Sequence, residues 1–188
     1  MGTKMKLGVL SDTHGLLRQE VLDHLQGCDA ILHGGDINNQ GILHTLGSIA
    51  TVYVVRGNND KEWAESLPLF LDFELAGKRV YMTHKKRDLP AELDGYDLVV
   101  FGHTHRYEIQ HVGNTVLLNP GCCGPRRFNQ PITMAMVSIS ESGRIEVQRI
   151  DIEHQGPRAK IGADLRGMVE TVIGETRRPA VDAAERRK

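Results

Sequence analysis

Short apolar runs, each closed by a polar or glycine-bearing turn, recur along the first third of the chain. Met5 to Leu10, Asp29 to His33 and Thr51 to Arg56 read as buried strands, being brief, rich in apolar or β-branched residues and bounded by turn signals. Between them the period becomes helical. Leu17, Val21, Leu22 and Leu25 predict a helix within Leu16 to Gln26, stopped by Gly27. Ile42, Leu43, Leu46 and Ile49 predict a second, which Asn38 or Asn39 can cap. This β-α-β-α-β order predicts a parallel sheet with right-handed crossovers.

Beyond Pro68 the pattern changes to hairpins. Phe70 to Leu75 and Lys78 to Thr83 flank Ala76-Gly77, and Arg106 to Val112 and Thr115 to Leu118 flank Gly113-Asn114. Thr133 to Ser140 and Arg144 to Ile152 flank Glu141-Ser142-Gly143. Asp97 to Phe101 is a further strand, and Pro90-Ala91-Glu92-Leu93 opens at most a short helix. The second half thus reads as mostly antiparallel, which predicts a second sheet stacked on the first.

With 188 residues, 40% of them hydrophobic, the chain can bury a full core in one domain. A net charge of -1 argues against a general nucleic-acid or membrane-surface binder. No apolar run approaches the roughly 20 residues of a membrane span, and the N-terminus lacks a signal-peptide core. Three cysteines, Cys28, Cys122 and Cys123, do not suit a disulfide framework, so a reducing cytoplasm is the expected setting. From Gly156 the composition shifts to net positive. Leu165, Met168, Val169, Val172 and Ile173 form an apolar helical stripe that Asp164 can cap. Packing on its own domain is the leading reading of that stripe, docking onto another subunit of a homo-oligomer the alternative. Thr176 to Lys188 reads as a disordered tail.

The chemistry lies where the apolar runs stop. Asp12 and His14 follow the first strand, Asp36 the second, Asn58 the third, His84 the run Val80 to Thr83, and His103 and His105 the run Leu98 to Phe101. Ligands of open α/β sheets bind outside the carboxyl ends of strands, so these five endings predict one pocket. A turn beginning at Gly102 can bring His103 and His105 to one side. Seven nitrogen and oxygen donors without a thiolate exceed one tetrahedral site and suit two divalent cations. Asp36 would bridge them. One cation takes Asp12, His14, Asp36 and His105, the other Asp36, Asn58, His84 and His103. Manganese is the expected metal, with iron, zinc or nickel as alternatives. Two cations about 3.5 to 4 Å apart can hold a hydroxide and clamp a tetrahedral phosphorus centre, which points to phosphate-ester hydrolysis with no Ser or Cys nucleophile. Of the nine histidines, His33 reads as a support behind the ligands, and His24, His44, His111 and His154 as surface groups.

The blocks Asp12-Thr13-His14, Gly35-Asp36, Gly57-Asn58-Asn59-Asp60, His84 and Gly102-His103-Thr104-His105 resemble, in order and spacing, the calcineurin-like metallophosphoesterase signature. The short chain and Asn119-Pro120-Gly121 resemble the small phosphodiesterase branch of that superfamily. The resemblance covers about Lys6 to Ile152. It implies a four-layer αββα sandwich of two stacked mixed β-sheets over residues 1–155, with 156–188 as an extension, and a small phosphodiester as substrate. A phosphomonoesterase, a nucleotide pyrophosphatase, or a non-catalytic scaffold like the retromer subunit of this fold are the rival readings. Asn59 stands where many members carry a histidine that protonates the leaving group. A carboxamide is no general acid, so good leaving groups are favoured. Asp60 would orient its neighbours. Arg56, Arg126 and Arg127 sit beside these loops, where guanidinium groups can grip a phosphate oxygen. Lys85-Lys86 replaces a common glycine and reads as solvated. Cys122-Cys123 stands where a serine commonly follows, and reads as loop.

Overall fold

The computed structural model describes residues 2–127 and 129–152; the extension read at 156–188, with its apolar stripe and tail, lies outside the described residues. Three parallel strands open the chain: β1 (Thr3–Leu10), β2 (Ala30–His33) and β3 (Thr51–Val54). They are linked by α1 (Gln19–Leu25) and α2 (Gln40–Gly47). Strand alternation divides their side chains between two cores. Leu7, Val9, Ala30 and Leu32 face the second sheet, whereas Ile31, Val52 and Val54 pack under the helices with Val21, Leu25, Ile42 and Leu46. Gly8 lets α1 come close, since a Cβ there would lie 2.1 Å from Leu25 Cδ2. Asn39 caps α2, its side chain accepting from the Gly41 amide at 2.9 Å. The first helix is shorter than its apolar period predicts. Residues 13–16 are spent on a turn closed by Leu16 N–H donating to Thr13 O, so Leu17 packs into the core ahead of α1.

The remaining strands are β4 (Phe70–Leu75), β5 (Lys78–Thr83), β6 (Leu98–Val100), β7 (Tyr107–Val112), β8 (Thr115–Pro120), β9 (Thr133–Ser140) and β10 (Ile145–Asp151). They complete two five-stranded mixed sheets, ordered β10-β9-β1-β2-β3 and β4-β5-β6-β8-β7. The two sheets stack through an apolar layer that includes Val80, Met82, Leu98, Val100, Val116 and Leu118 from the second and Ala135, Val137 and Ile139 from the first.

One expectation about the second half needs correction. The third hairpin, β9 with β10, does not join the second sheet; it pairs antiparallel to β1 and so completes the first. β9 is apolar on both faces, with Met134 and Met136 toward the helical core and Ala135 and Val137 toward the sheet interface, and it fills the open flank of β1. The second sheet is antiparallel within its two hairpins, as the second half predicts, and parallel only where β6 joins them. β6 runs parallel to both β5 and β8 and so ties the two hairpins together. At Pro90, which on the sequence opens at most a short helix, none forms. A 3-10 turn at Lys86–Asp88 precedes it, and Leu89 adopts the extended backbone (ψ 148°) that a following proline favours. The outer layer over the second sheet is therefore loop and turn, packing Leu89, Leu93 and Tyr96 against Tyr81, Val99, Phe101 and Leu117.

Candidate metal centre

All seven donors lie just past the C-terminal ends of strands: β1, β2 and β3 of the first sheet and β5 and β6 of the second. On extended backbone an i, i+2 pair shares one face but sits nearly two residue rises apart. Here the turns take another path. Asp12 (φ 56°), His14 (45°), Asp36 (56°), Asn38 (63°), His103 (71°) and His105 (59°) all adopt left-handed backbone, in pairs separated by one residue of ordinary φ. Asp, Asn and His enter that region more readily than other non-glycine residues, at a cost on the order of 1 kcal/mol each. Hydrogen bonds between the turns hold them there. Asp12 N–H donates to Gly35 O at 3.0 Å, His14 N–H to Asp36 O at 2.9 Å, and Gly15 N–H to Ile37 O at 2.8 Å.

Two candidate metal-binding groups result, each with its donor atoms within 4.8 Å of one another: Asp12, His14 and His105, and Asp36, His84 and His103. In the first, Asp12 Oδ1 lies 3.2 Å from His105 Nε2 and 3.6 Å from His14 Nε2, and the two imidazole nitrogens are 3.2 Å apart. Asp36 Oδ2 links the groups, 3.8 Å from His14 Nε2 and 3.4 Å from His84 Nε2. Asp12 Oδ1 and His84 Nε2 are buried without a hydrogen-bond partner. A buried carboxylate oxygen and a buried ring nitrogen left this way are costly unless a cation completes them, and their imidazole and carboxylate chemistry suits a divalent metal.

Around the donors stands a set of supports that fix their orientation. His84 Nδ1 lies 2.7 Å from Gly34 O, so the proton belongs on Nδ1 and the Nε2 lone pair faces the centre. Asp12 Oδ2 accepts from Ser11 Oγ at 2.6 Å and from the His103 amide at 3.1 Å, joining the first and last donor turns. Asn119 Nδ2 donates to Gly102 O and Thr104 Oγ1, both at 3.0 Å. His33, fully buried, accepts the Gly35 amide at Nδ1, which puts its proton on Nε2, 3.1 Å from Thr13 Oγ1. Its burial depresses the ring's pKa to about 4, keeping it neutral as a strut. Gly102 admits close approach, since a Cβ there would lie 2.1 Å from Ser11 Oγ.

The electrostatics follow from this crowding. Burial pushes the carboxyls of Asp12 and Asp36 up, but the imidazoles beside them outweigh it. For Asp12 these are His105, His14 and His84, helped by Ser11, and the carboxyl is held well below the usual range. For Asp36, His84 and the two Asn59 N–H groups bring it to about 2. The Asp12 carboxylate, then the Cys122 thiol, raise His105 to about 10 against the effect of burial. His84 is raised too, burial being outweighed by Asp36 and Asp12. His103 is lowered by burial and by the charges of His84 and Lys85.

Asn58 and His103 are exposed at the mouth, whereas Asp12, Asp36, His84 and His105 are buried. Asn59 turns inward onto Asp36: its Nδ2 donates to Oδ2 at 2.6 Å and its amide to Oδ1 at 2.8 Å. Asp60 is buried, with Oδ1 accepting from the Ile37 and Asn38 amides (2.8 and 2.7 Å) and Oδ2 from Gly57 (2.8 Å). It ties the Asp36 turn to the Asn58 turn. Arg56 is engaged with Asp60 O through Nε and Nη2 at 3.4 and 3.3 Å. Arg126 and Arg127 are exposed, and Lys86 pairs with Glu108. Ser11, Asn119 as a staple and the contacts of Cys122 went unread in the sequence, because a hydroxyl, a carboxamide and a thiol carry no spacing signal for a supporting role.

The family model of the calcineurin-like phosphoesterase superfamily domain matches residues 5–142. A probable metallophosphoesterase of Methanothermobacter thermautotrophicus is 32% identical over 164 residues, covering 79% of this chain and 91% of the relative. The phosphodiesterase YfcE of Escherichia coli is 29% identical over 161 residues, 71% of this chain and 87% of its own. The solved structure of the Escherichia coli phosphoesterase Yfce aligns with a TM-score of 0.59 at 26% identity, over 79% of this chain and 100% of that one. The Vps29 protein of Entamoeba histolytica, solved with zinc, shares the fold at 20% identity and a TM-score of 0.59, over 78% of this chain and 99% of that one. Since the model match spans well over half of the sequence, the chain belongs to the calcineurin-like phosphoesterase superfamily.

Proposed function

We propose that this chain is a dinuclear-metal phosphodiesterase, with one cation on Asp12, His14 and His105, a second on Asn58, His84 and His103, and Asp36 between them. The observation that carries this is the pair of buried, hydrogen-bond-free donor atoms, Asp12 Oδ1 and His84 Nε2, either side of Asp36. Divalent cations held there, with manganese proposed, supply an activated water and neutralise charge developing on the phosphoryl oxygens.

The chain's own residues set the rest. Ser11 and the His103 amide fix the Asp12 carboxylate, and Asn59 fixes that of Asp36 through both oxygens. Asn59 has no proton to give at neutral pH, and its amide is already turned onto Asp36, so the leaving group departs unaided from that side. That favours diesters with acidic alcohols, such as aryl esters, and agrees with the named activity of the Escherichia coli relative. Turnover is expected to fall steeply as the leaving-group pKa rises, with Asn59→His flattening that slope; a flat slope in the unaltered protein would contradict the assignment. Three free, buried cysteines fit a reducing cytoplasm.

Aryl phosphate mono- and diesters assayed with manganese test the reaction class. Diester preference, lost in Asp36→Ala and His103→Ala while the fold persists, supports it. Monoester or pyrophosphate preference rejects the diesterase, and unchanged hydrolysis in both variants rejects the site. A non-catalytic scaffold is the rival reading. Because the Vps29 structure contains zinc, metal uptake alone does not separate the two, and turnover does.

A further inference from the structure

β5 ends at Thr83, one residue before the donor His84, and its antiparallel partner β4 begins opposite it, with Phe70 registered on Thr83 and Leu71 on Met82. Leu71 and Met82 are both buried in the layer between the sheets. Strand alternation returns every second residue to the same face, so the next pair outward on that face is Leu69 with His84. Residues opposite one another across such a pair have Cβ atoms roughly 5 Å apart. Leu69 therefore belongs to the mouth of the second cation position. Phe70, one residue on, turns to the other face and stacks on Tyr81, with ring centroids 5.8 Å apart.

The backbone around Leu69 is held from both sides by the turns that carry donors. Pro68 O accepts the Arg56 amide at 2.8 Å, two residues ahead of Asn58, and Leu69 O accepts from Thr83 Oγ1 at 3.3 Å, next to His84. Yet the Leu69 residue is 67% exposed, the most of any large hydrophobic among the described residues. A leucine exposed singly is ordinary on a protein surface. This one is fixed at the rim of a polar centre, on the side where Asn58 and His103 are exposed as well. An apolar wall offers nothing to a cation or a phosphoryl oxygen, so it suits an apolar part of a substrate. Of the two ester groups of a phosphodiester, the departing one develops negative charge, which water or a cation stabilises and a leucine does not. The retained one gains no charge and loses nothing against an apolar surface.

We propose that Leu69 is a specificity-determining residue, packing against the retained ester group of the diester and favouring an aryl or similarly apolar group there over a small alkyl one. This rests on the phosphodiesterase reading above. Such a contact is the same before and during the reaction, so it lowers KM and leaves kcat unchanged.

The test compares bis(para-nitrophenyl) phosphate with methyl para-nitrophenyl phosphate, assayed with manganese on the full chain; the two esters share a leaving group and differ in the retained one. In the unaltered protein the KM for the aryl ester should be about 10-fold the lower, the small end of what an apolar contact is worth in a pocket. Leu69→Ser should raise that KM close to the value for the methyl ester with kcat kept, and Leu69→Phe should preserve the preference. Ile109→Ser, at an exposed apolar position of β7 on the opposite edge of the second sheet, should change neither ester. Equal KM values in the unaltered protein, a preference that survives Leu69→Ser, or an equal loss on both esters would overturn the proposal. So would a preference that grows with protein concentration and self-association, which would give Leu69 to a second copy of the chain. If the unaltered protein turned over neither ester, the phosphodiesterase reading would be the part that fails, and this inference would fall with it.

Discussion

At Gly57 an added Cβ would lie 2.1 Å from the Asp36 backbone nitrogen and 2.2 Å from Asp36 Oδ1. Neither atom can yield, because the Asp36 turn is held on both sides by Asp60 and Asn59. Gly57→Ala should therefore displace the bridging carboxylate, destabilise the fold by about 1–3 kcal/mol and abolish tight metal binding, as calorimetry and metal titration would show. Protonation follows the same geometry. His105 in the metal-free protein is raised from 6.5 to about 10, so its contribution to stability is complete below 6.5 and is lost as pH rises through 10. Asp36, lowered from 3.8 to about 2, contributes above 3.8 and loses that contribution as pH falls through 2. Urea unfolding of chelator-treated protein should show an alkaline loss between these limits that His105→Ala lacks. Since a cation displaces the His105 proton, apparent metal affinity should rise with pH over the same range.

At the scale of elements, the site is a set of strand ends stitched across one another. Asp60 accepts from three backbone amides on two turns, so Asp60→Ala strands three donors and should cost on the order of 3 kcal/mol or more in urea unfolding. A loss under about 1 kcal/mol would show that the turns do not depend on it. The hairpins β4–β5 and β7–β8 were legible because turn residues and period-two patterning are local, and Ala76 and Gly77 both take positive φ in the tight turn they predict. The donor turns were legible for a related reason: glycine beside an Asp, Asn or His at the end of an apolar run marks both a sharp turn and a ligand.

For the whole molecule, the sequence conveyed two stacked sheets but not which strands fill each. β9 is apolar on both faces, yet nothing local says that it should cross back to lie beside β1, and β6, only three residues long, joins two hairpins by parallel pairing. These are long-range choices, decided by which flank is open once the other strands are laid down. Their consequence is functional, because β6 carries His103 and His105 between the two sheets to meet Asp12 and Asp36. Anomalous diffraction from crystals of the full chain grown with manganese tests that convergence most directly. Two peaks about 3.5 to 4 Å apart are expected, one among Asp12, His14 and His105, the other among Asn58, His84 and His103, with the Asp36 carboxylate between them. A single peak, or manganese bound away from these side chains, would contradict the account.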